Sequence, residues 1–234
     1  MELKFLGKGS AFYPVYGNTG AYMLYGKELY LIDCGETAFD QLYRRIRLDE
    51  IEKVYVLQTH LHADHVGSLG SLISYFHHIL NRQVMVIHPQ PTITQLLTLE
   101  GIDPRGYIYE QFLPENAAGL HAEPVEVKHA TDMKCYGYVI TDQNESIYYS
   151  GDSSELPPEI RKRFLAGEIQ RIYHDTASED LPNPSHCYYG KMEEWIPKEK
   201  RSQVYCMHLD SPCEDMLRSR GFSLVEVEEK AFQE

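Results

Sequence analysis

Positive charge is scarce in this chain: 22 Lys and Arg stand against 35 Asp and Glu in 234 residues, a formal net charge of -13 at pH 7. A protein that grips a long polyanion carries a basic footprint, because counterion release drives that binding. Here the cations fall in short mixed runs, Arg161-Lys162-Arg163 and Lys198-Glu199-Lys200-Arg201, which read as solvated faces. A large nucleic acid is disfavoured as partner, whereas a small anion held through metal is not. Apolar runs are short as well. None approaches the roughly 18 residues of a membrane span, and residues 1–7 show no basic stretch leading an apolar one, so neither a span nor a secretory leader is expected. Cysteine is sparse and unpaired. Cys34, Cys135, Cys187, Cys206 and Cys213 are odd in number and form no Cys-x-x-Cys, a usage that fits free thiols in a reducing, cytoplasmic compartment rather than a disulfide framework.

What remains is a chain with 43% hydrophobic residues, no low-complexity tract and no long linker, read as one domain over residues 1–234. Ala21–Tyr25 and Leu29–Asp33 flank Gly26-Lys27 as a hairpin. Phe39, Leu42, Tyr43 and Ile46 recur at helical spacing, Val54–Leu57 is a buried strand, Val66–Leu80 reads as a helix, and Val84–Ile87 is a strand stopped by Pro89. The theme then repeats: strands at Val125–Val127, Tyr136–Ile140, Ser146–Tyr149, Arg171–Tyr173, Val204–Met207 and Phe222–Val225, with a helix around Pro158–Leu165. The class is α/β, two sheets covered by helices.

The chemistry concentrates in Thr59-His60-Leu61-His62-Ala63-Asp64-His65, directly after a buried strand. Three imidazoles and a carboxylate so close together exceed what packing explains. A loop leaving a strand aims His60 and His62 one way and, as the chain curls, Asp64 and His65 another, an arrangement suited to two nearby cations. Imidazole nitrogen and carboxylate oxygen suit Zn²⁺, Mn²⁺ or Fe. The plain alternative is a polar helix start, with Asp64 beside the positive end of the following helix. Further donors stand where strands end: His129, Asp152 in Ser150-Gly151-Asp152-Ser153, and His208. Taken singly these are ordinary surface or turn residues, as His88 and His121 illustrate.

Together, His60-x-His62-x-Asp64-His65 followed by His129, Asp152 and His208 resembles the pattern of the metallo-β-lactamase superfamily over essentially the whole chain. The resemblance implies an αββα sandwich, two mixed sheets flanked by helices, with the site on one edge. It implies one metal held by His60, His62 and His129, a second by Asp64, His65 and His208, and Asp152 bridging them; the expected cofactors are two divalent ions, Zn²⁺ or Mn²⁺. Asp33, in Leu31-Ile32-Asp33-Cys34-Gly35, matches the family's early Asp, a carboxylate that buttresses the ligand loop. A β-lactamase is disfavoured, because Asp152 replaces the cysteine of common lactamases of this fold.

Tyr173-His174-Asp175-Thr176-Ala177 and the later Ser185-His186 resemble the tRNA 3′-processing (RNase Z) branch of phosphodiesterases, in which an acid partners a histidine. Two departures mark the match: Asp175 replaces Glu, and Cys187-Tyr188 follows His186 in place of Ser-Thr. The resemblance implies a hydroxide made nucleophilic by two metals that attacks phosphorus, with Asp64 essential to catalysis and His186, oriented by Asp175, giving a proton to the departing 3′-oxygen. The Lys-rich arm with which tRNA-cleaving relatives grip their substrate has no counterpart between Asp152 and Tyr173. The expected substrate is therefore a small phosphodiester, a 3′,5′-cyclic nucleotide opened to the 5′-monophosphate. The alternatives are an RNA 3′-end endonuclease and another hydrolase of the fold, such as a thioesterase or lactonase, with a non-enzymatic binding module behind them. Relatives of the branch are commonly homodimers, so a homodimer is a further expectation.

Overall fold

The computed structural model describes residues 1–115, 117 and 119–227. Its first half runs β1 (Lys4–Gly7), β2 (Gly20–Tyr25), β3 (Glu28–Ile32), α1 (Ala38–Arg45), β4 (Lys53–Leu57), α2 (Ala63–Val66), α3 (Leu69–His78), β5 (Val84–Ile87), α4 (Thr92–Leu99) and β6 (Tyr107–Glu110). The six strands form one sheet in chain order. β1, β2 and β3 pair antiparallel, and β3 through β6 are parallel. Tyr25 faces Glu28 across Gly26-Lys27, and Gly26 takes the positive φ of +61° that such a two-residue turn favours.

The second half repeats this plan with β7 (His121–Val127), β8 (Cys135–Thr141), β9 (Ser146–Tyr149), α5 (Pro158–Ala166), β10 (Arg171–Asp175), α6 (Tyr189–Trp195), β11 (Val204–Met207), α7 (Glu214–Ser219) and β12 (Ser223–Leu224). Again two antiparallel pairings precede a parallel run. Pro124 sits in β7, an edge strand, where a missing backbone donor is tolerated.

Strand periodicity assigns the layers. Ala21, Met23, Tyr30, Ile32, Tyr55 and Leu57 of the first sheet meet Tyr138, Ile140, Ile147, Tyr149, Tyr173 and Met207 of the second in a common core. Their chain neighbours Tyr22, Leu29, Leu31, Val54 and Val56 face outward onto Leu42 of α1 and Leu69, Leu72, Ile73 and Phe76 of α3. Val139, Tyr148, Ile172 and Val204 do the same against Ile160 and Phe164 of α5 and Leu217 of α7. Burial on both faces explains why the central strands read as unbroken apolar runs. The result is the αββα sandwich expected from the sequence.

Five elements differ from expectation. The helix read over Val66–Leu80 is two helices: α2 already begins at Ala63, and the path breaks at Gly67-Ser68. The break arises because the turn after β3 takes over the local hydrogen bonds: Cys34 N–H donates to the His65 carbonyl at 2.7 Å, Ser68 N–H to the Cys34 carbonyl at 3.0 Å, and the Ser68 hydroxyl to the Gly35 carbonyl. Asp64 and His65 thus ride on a short helical turn of their own. Four further elements, α4, α6, α7 and the edge strand β6, have no counterpart in the sequence reading; β6 buries only one face, partly, leaving Ile108 and Glu110 exposed.

The turn after β3 packs so closely on α2 that a Cβ on Gly35 would lie 1.8 Å from the Asp64 carbonyl oxygen. Neither backbone can give way cheaply. Gly35→Ala is therefore expected to lose at least the roughly 1–3 kcal/mol of ordinary overpacking, read as a lowered denaturant midpoint; an unchanged midpoint would show that α2 can shift.

Candidate metal and catalytic centre

Every donor singled out in the sequence sits at the C-terminal tip of a strand or in the loop just beyond one. β3 and β4 are parallel with Ile32 beside Leu57, so Asp33 and the Gln58–His65 segment emerge side by side. In the second sheet β9, β10 and β11 are parallel, and the register that sets Asp175 opposite Met207 brings it next to His208. β7 runs the same way as β9, delivering His129 to the same edge.

Two groups of donors result. In the first, His62 Nδ1 lies 3.0 Å from His60 Nε2 and 3.1 Å from His129 Nε2, and Asp152 Oδ2 lies 3.8 and 3.6 Å from those two Nε2 atoms. In the second, Asp152 Oδ1 is 3.0 Å from His65 Nε2 and 3.3 Å from His208 Nε2, while Asp64 Oδ2 is 3.3 and 3.2 Å from the same nitrogens. Asp152 thus turns one carboxylate oxygen to each group. Neighbouring donors around a tetrahedral Zn²⁺ with bonds of about 2.0–2.1 Å stand about 3.4 Å apart, so both groups have the right span.

The outer nitrogens of the rings are engaged, and this sets the inner ones. His60 Nδ1 donates to the Thr59 hydroxyl at 3.1 Å, which donates to Asp33 Oδ2 at 2.8 Å. His65 Nδ1 donates to the same Asp33 oxygen at 2.8 Å, and His129 Nδ1 to the Ser185 carbonyl at 2.9 Å. With those protons committed outward, the Nε2 atoms present lone pairs inward. His65 Nε2 and Asp152 Oδ1 are buried, closely opposed and without a hydrogen bond. Convergent lone pairs of this kind fit a divalent cation, and the donors suit such an ion without any thiolate.

The carboxylates and imidazoles of the cluster also act strongly on one another. Burial opposes ionisation of Asp152, yet His208 and His65 outweigh it and hold the carboxyl well below the usual range. For His208 burial favours the neutral ring, but Asp152, Asp175 and Asp64 lift its pKa to about 10. His60, screened by burial and facing other imidazoles, is pushed well below its ordinary value.

Beside the second group, His186 Nδ1 meets Asp175 Oδ2 at 2.7 Å, and Ser153 N–H donates to that oxygen at 3.0 Å. Burial disfavours a charged His186, but the Asp175 carboxylate prevails and raises its pKa. The His186 ring stands 5.0 Å, centroid to centroid, from both His129 and His208. All ten residues named from the sequence for this centre therefore lie in one cluster. Gln58 is absent from the sequence reading, and Thr59 stands there only as the start of the motif, without a role. Buried completely, Gln58 Nε2 donates to Asp33 Oδ1 and to the carbonyls of His60 and His65, tying the whole ligand turn to Asp33. The only sequence trace of this role is two polar residues closing an apolar strand.

Above the donors opens a cleft of about 850 Å³ whose lining includes His62, Asp64, His129, Asp152, His186 and His208. None of the described residues lining it is Lys or Arg.

Known proteins resemble this chain over nearly its whole length. The model of the family described as anti-Pycsar protein Apyc1 matches residues 1–103 and 106–231. An anti-Pycsar protein Apyc1 from Saccharibacillus brassicae is 28% identical over 226 residues, covering 89% of each chain. One from Bacillus phage 010DV004 is 25% identical over 254 residues, covering 94% of this chain and 93% of the relative. Among solved structures, the metallo-β-lactamase fold protein YhfI from Bacillus subtilis superposes with a TM-score of 0.74 at 19% identity, over 98% of this chain and 96% of its own.

Proposed function

The chain belongs to the anti-Pycsar protein Apyc1 family, and from that premise we propose that it opens 3′,5′-cyclic nucleotides to 5′-monophosphates with two divalent cations, Zn²⁺ or Mn²⁺, at the strand tips. It is a metal-dependent hydrolase of the metallo-β-lactamase fold. The observation that carries the two-cation reading is Asp152, whose two oxygens serve two separate donor groups. Cations bound there supply Lewis acidity, lowering the pKa of water and neutralising charge on the phosphoryl oxygens.

The remaining steps belong to side chains of this protein. Asp33, through Thr59 and Gln58, fixes the orientation of His60 and His65. His186, whose Nδ1 is held by Asp175, keeps Nε2 free in the cleft as a proton source. As the water oxygen bonds to phosphorus, its spare proton leaving to solvent, and the P–O3′ bond breaks, the His186 proton passes to O3′, leaving a 3′-hydroxyl and a 5′-phosphate; solvent then returns a proton to His186.

A cleft without Lys or Arg supports a substrate with one phosphate over a nucleic acid, whose many phosphates need cationic partners. Among the described residues no helix is long and apolar enough to cross a membrane. The five cysteines are buried and free of disulfides, which supports a reducing, cytoplasmic setting. The test is a panel of 3′,5′-cyclic mononucleotides, linear and cyclic dinucleotides and a tRNA precursor, assayed with Zn²⁺, with Mn²⁺ and after chelation. Metal-dependent release of 5′-monophosphates from the cyclic mononucleotides is expected; cleavage of the tRNA precursor alone would reverse the assignment.

A further inference from the structure

The cleft above the donors is lined mainly by small or polar groups, among them Ser10, Ala11, Ala63, Ala130, Ala177 and Ser185. Two large apolar side chains join them, Phe12 and Leu181. Phe12 is 97% exposed, the most exposed large apolar side chain among the described residues, and Leu181 is 58% exposed. A phenyl ring left almost wholly in water contributes nothing to the core, so its place in this cleft needs another account.

The backbone around Phe12 is firmly held. Ser10 N–H donates to the Leu209 carbonyl at 3.0 Å, Tyr13 N–H to the Ser10 carbonyl at 3.1 Å, Gly9 N–H to the Gly17 carbonyl at 2.8 Å and Thr19 N–H to the Gly9 carbonyl at 3.1 Å. The Tyr13 and Tyr16 rings pack edge to face at 4.8 Å, bracing the loop from within. Leu209 directly follows His208, so the loop that presents Phe12 is bonded to the same strand tip that presents a donor of the second group. Leu181 lies in the segment that leads to His186. The backbone that carries Phe12 is thereby placed in fixed relation to the phosphate chemistry, with Leu181 on the lining of the same cleft.

A cyclic nucleotide has one charged end and one flat aromatic end. With the charged end drawn to the donor cluster, the aromatic end needs an apolar surface within the same 850 Å³ cleft. We propose that Phe12 is the base-stacking residue of this cleft, its ring covering one face of the nucleobase; the assignment rests on the cyclic-nucleotide reading above. Because the backbone of the loop is braced before substrate arrives, the ordering cost on binding is confined to the Phe12 side chain.

Phe12→Ala is expected to raise KM for a cyclic nucleotide about 10-fold, the scale of losing one base–aromatic stack, with kcat changed less than about 2-fold. Phe12→Trp should restore KM, and Phe12→Leu, apolar but without a π face, should not. On a substrate without a base, methyl riboside 3′,5′-cyclic phosphate, wild type and Phe12→Ala should behave alike. The near-complete exposure of Phe12 leaves the fold insensitive to these changes. If wild type hydrolyses cyclic nucleotides and Phe12→Ala keeps its KM, or if Leu rescues as well as Trp, stacking is overturned. Equal losses on both substrates, with a changed mass by light scattering, would make Phe12 a contact between copies instead. Failure of wild type on every cyclic nucleotide would strike the functional reading itself.

Discussion

Asp152→Ala is expected to lower kcat/KM on a cyclic nucleotide by at least about a thousandfold, roughly 4 kcal/mol of transition-state stabilisation. The size follows from geometry: one side chain supplies Oδ2 to the group of His60, His62 and His129 and Oδ1 to that of Asp64, His65 and His208. Removing it damages both groups at once, whereas Asp64→Ala removes an oxygen from one alone. Metal content measured on the purified variant should fall below that of Asp64→Ala. Asp152→Asn keeps the shape but not the charge, and should sit near the Ala variant, since His65 and His208 then face a neutral amide. The chelated Asp152→Ala protein should unfold cooperatively like chelated wild type, separating loss of ligand from loss of fold. Near-wild-type turnover by either variant would reject a shared carboxylate between two cations.

The second large effect concerns the leaving group. His186→Ala should slow cyclic nucleotide hydrolysis by about 10²–10⁴, the range for a positioned general acid, and should scarcely slow bis(p-nitrophenyl) phosphate, whose leaving group departs without a proton. Equal losses on both substrates would remove His186 as the acid. The pH profile gives an independent reading. Asp175 raises the pKa of His186 by favouring the imidazolium, against the contrary effect of burial. Activity that needs the protonated ring is complete below that raised pKa and is lost as pH climbs through it. In Asp175→Asn the proton leaves at lower pH, so the alkaline limb should move toward neutrality.

Much of this centre was legible before any coordinates, and for a physical reason. The proposed ligands need particular atoms, so His60, His62, Asp64 and His65 show themselves as a motif, whereas His129, Asp152 and His208 are picked out from ordinary strand-end residues only by the family resemblance. The supporting layer is quieter. Gln58 and Thr59 act through a buried amide and a hydroxyl, groups that serve equally well in any turn, and only the structure shows them bonded to Asp33. The break at Gly67-Ser68 leaves no mark in the sequence because apolar spacing continues across it; what stops the helix is a competing set of bonds to Cys34 and Gly35, more than thirty residues upstream. Phe12 is quieter still, since an aromatic residue beside Tyr13 in a glycine-rich loop looks like any other until its exposure and its neighbours are known.

The twinned plan of the two sheets has a consequence for how this molecule can change over evolutionary time. The first sheet contributes His60, His62, Asp64 and His65, the second His129, Asp152 and His208, so neither half owns the complete donor cluster. Each inherits its partner's constraints at the shared rim. The outer helical layers carry no such obligation, and divergence among descendants should accumulate there while the suture between the halves stays fixed.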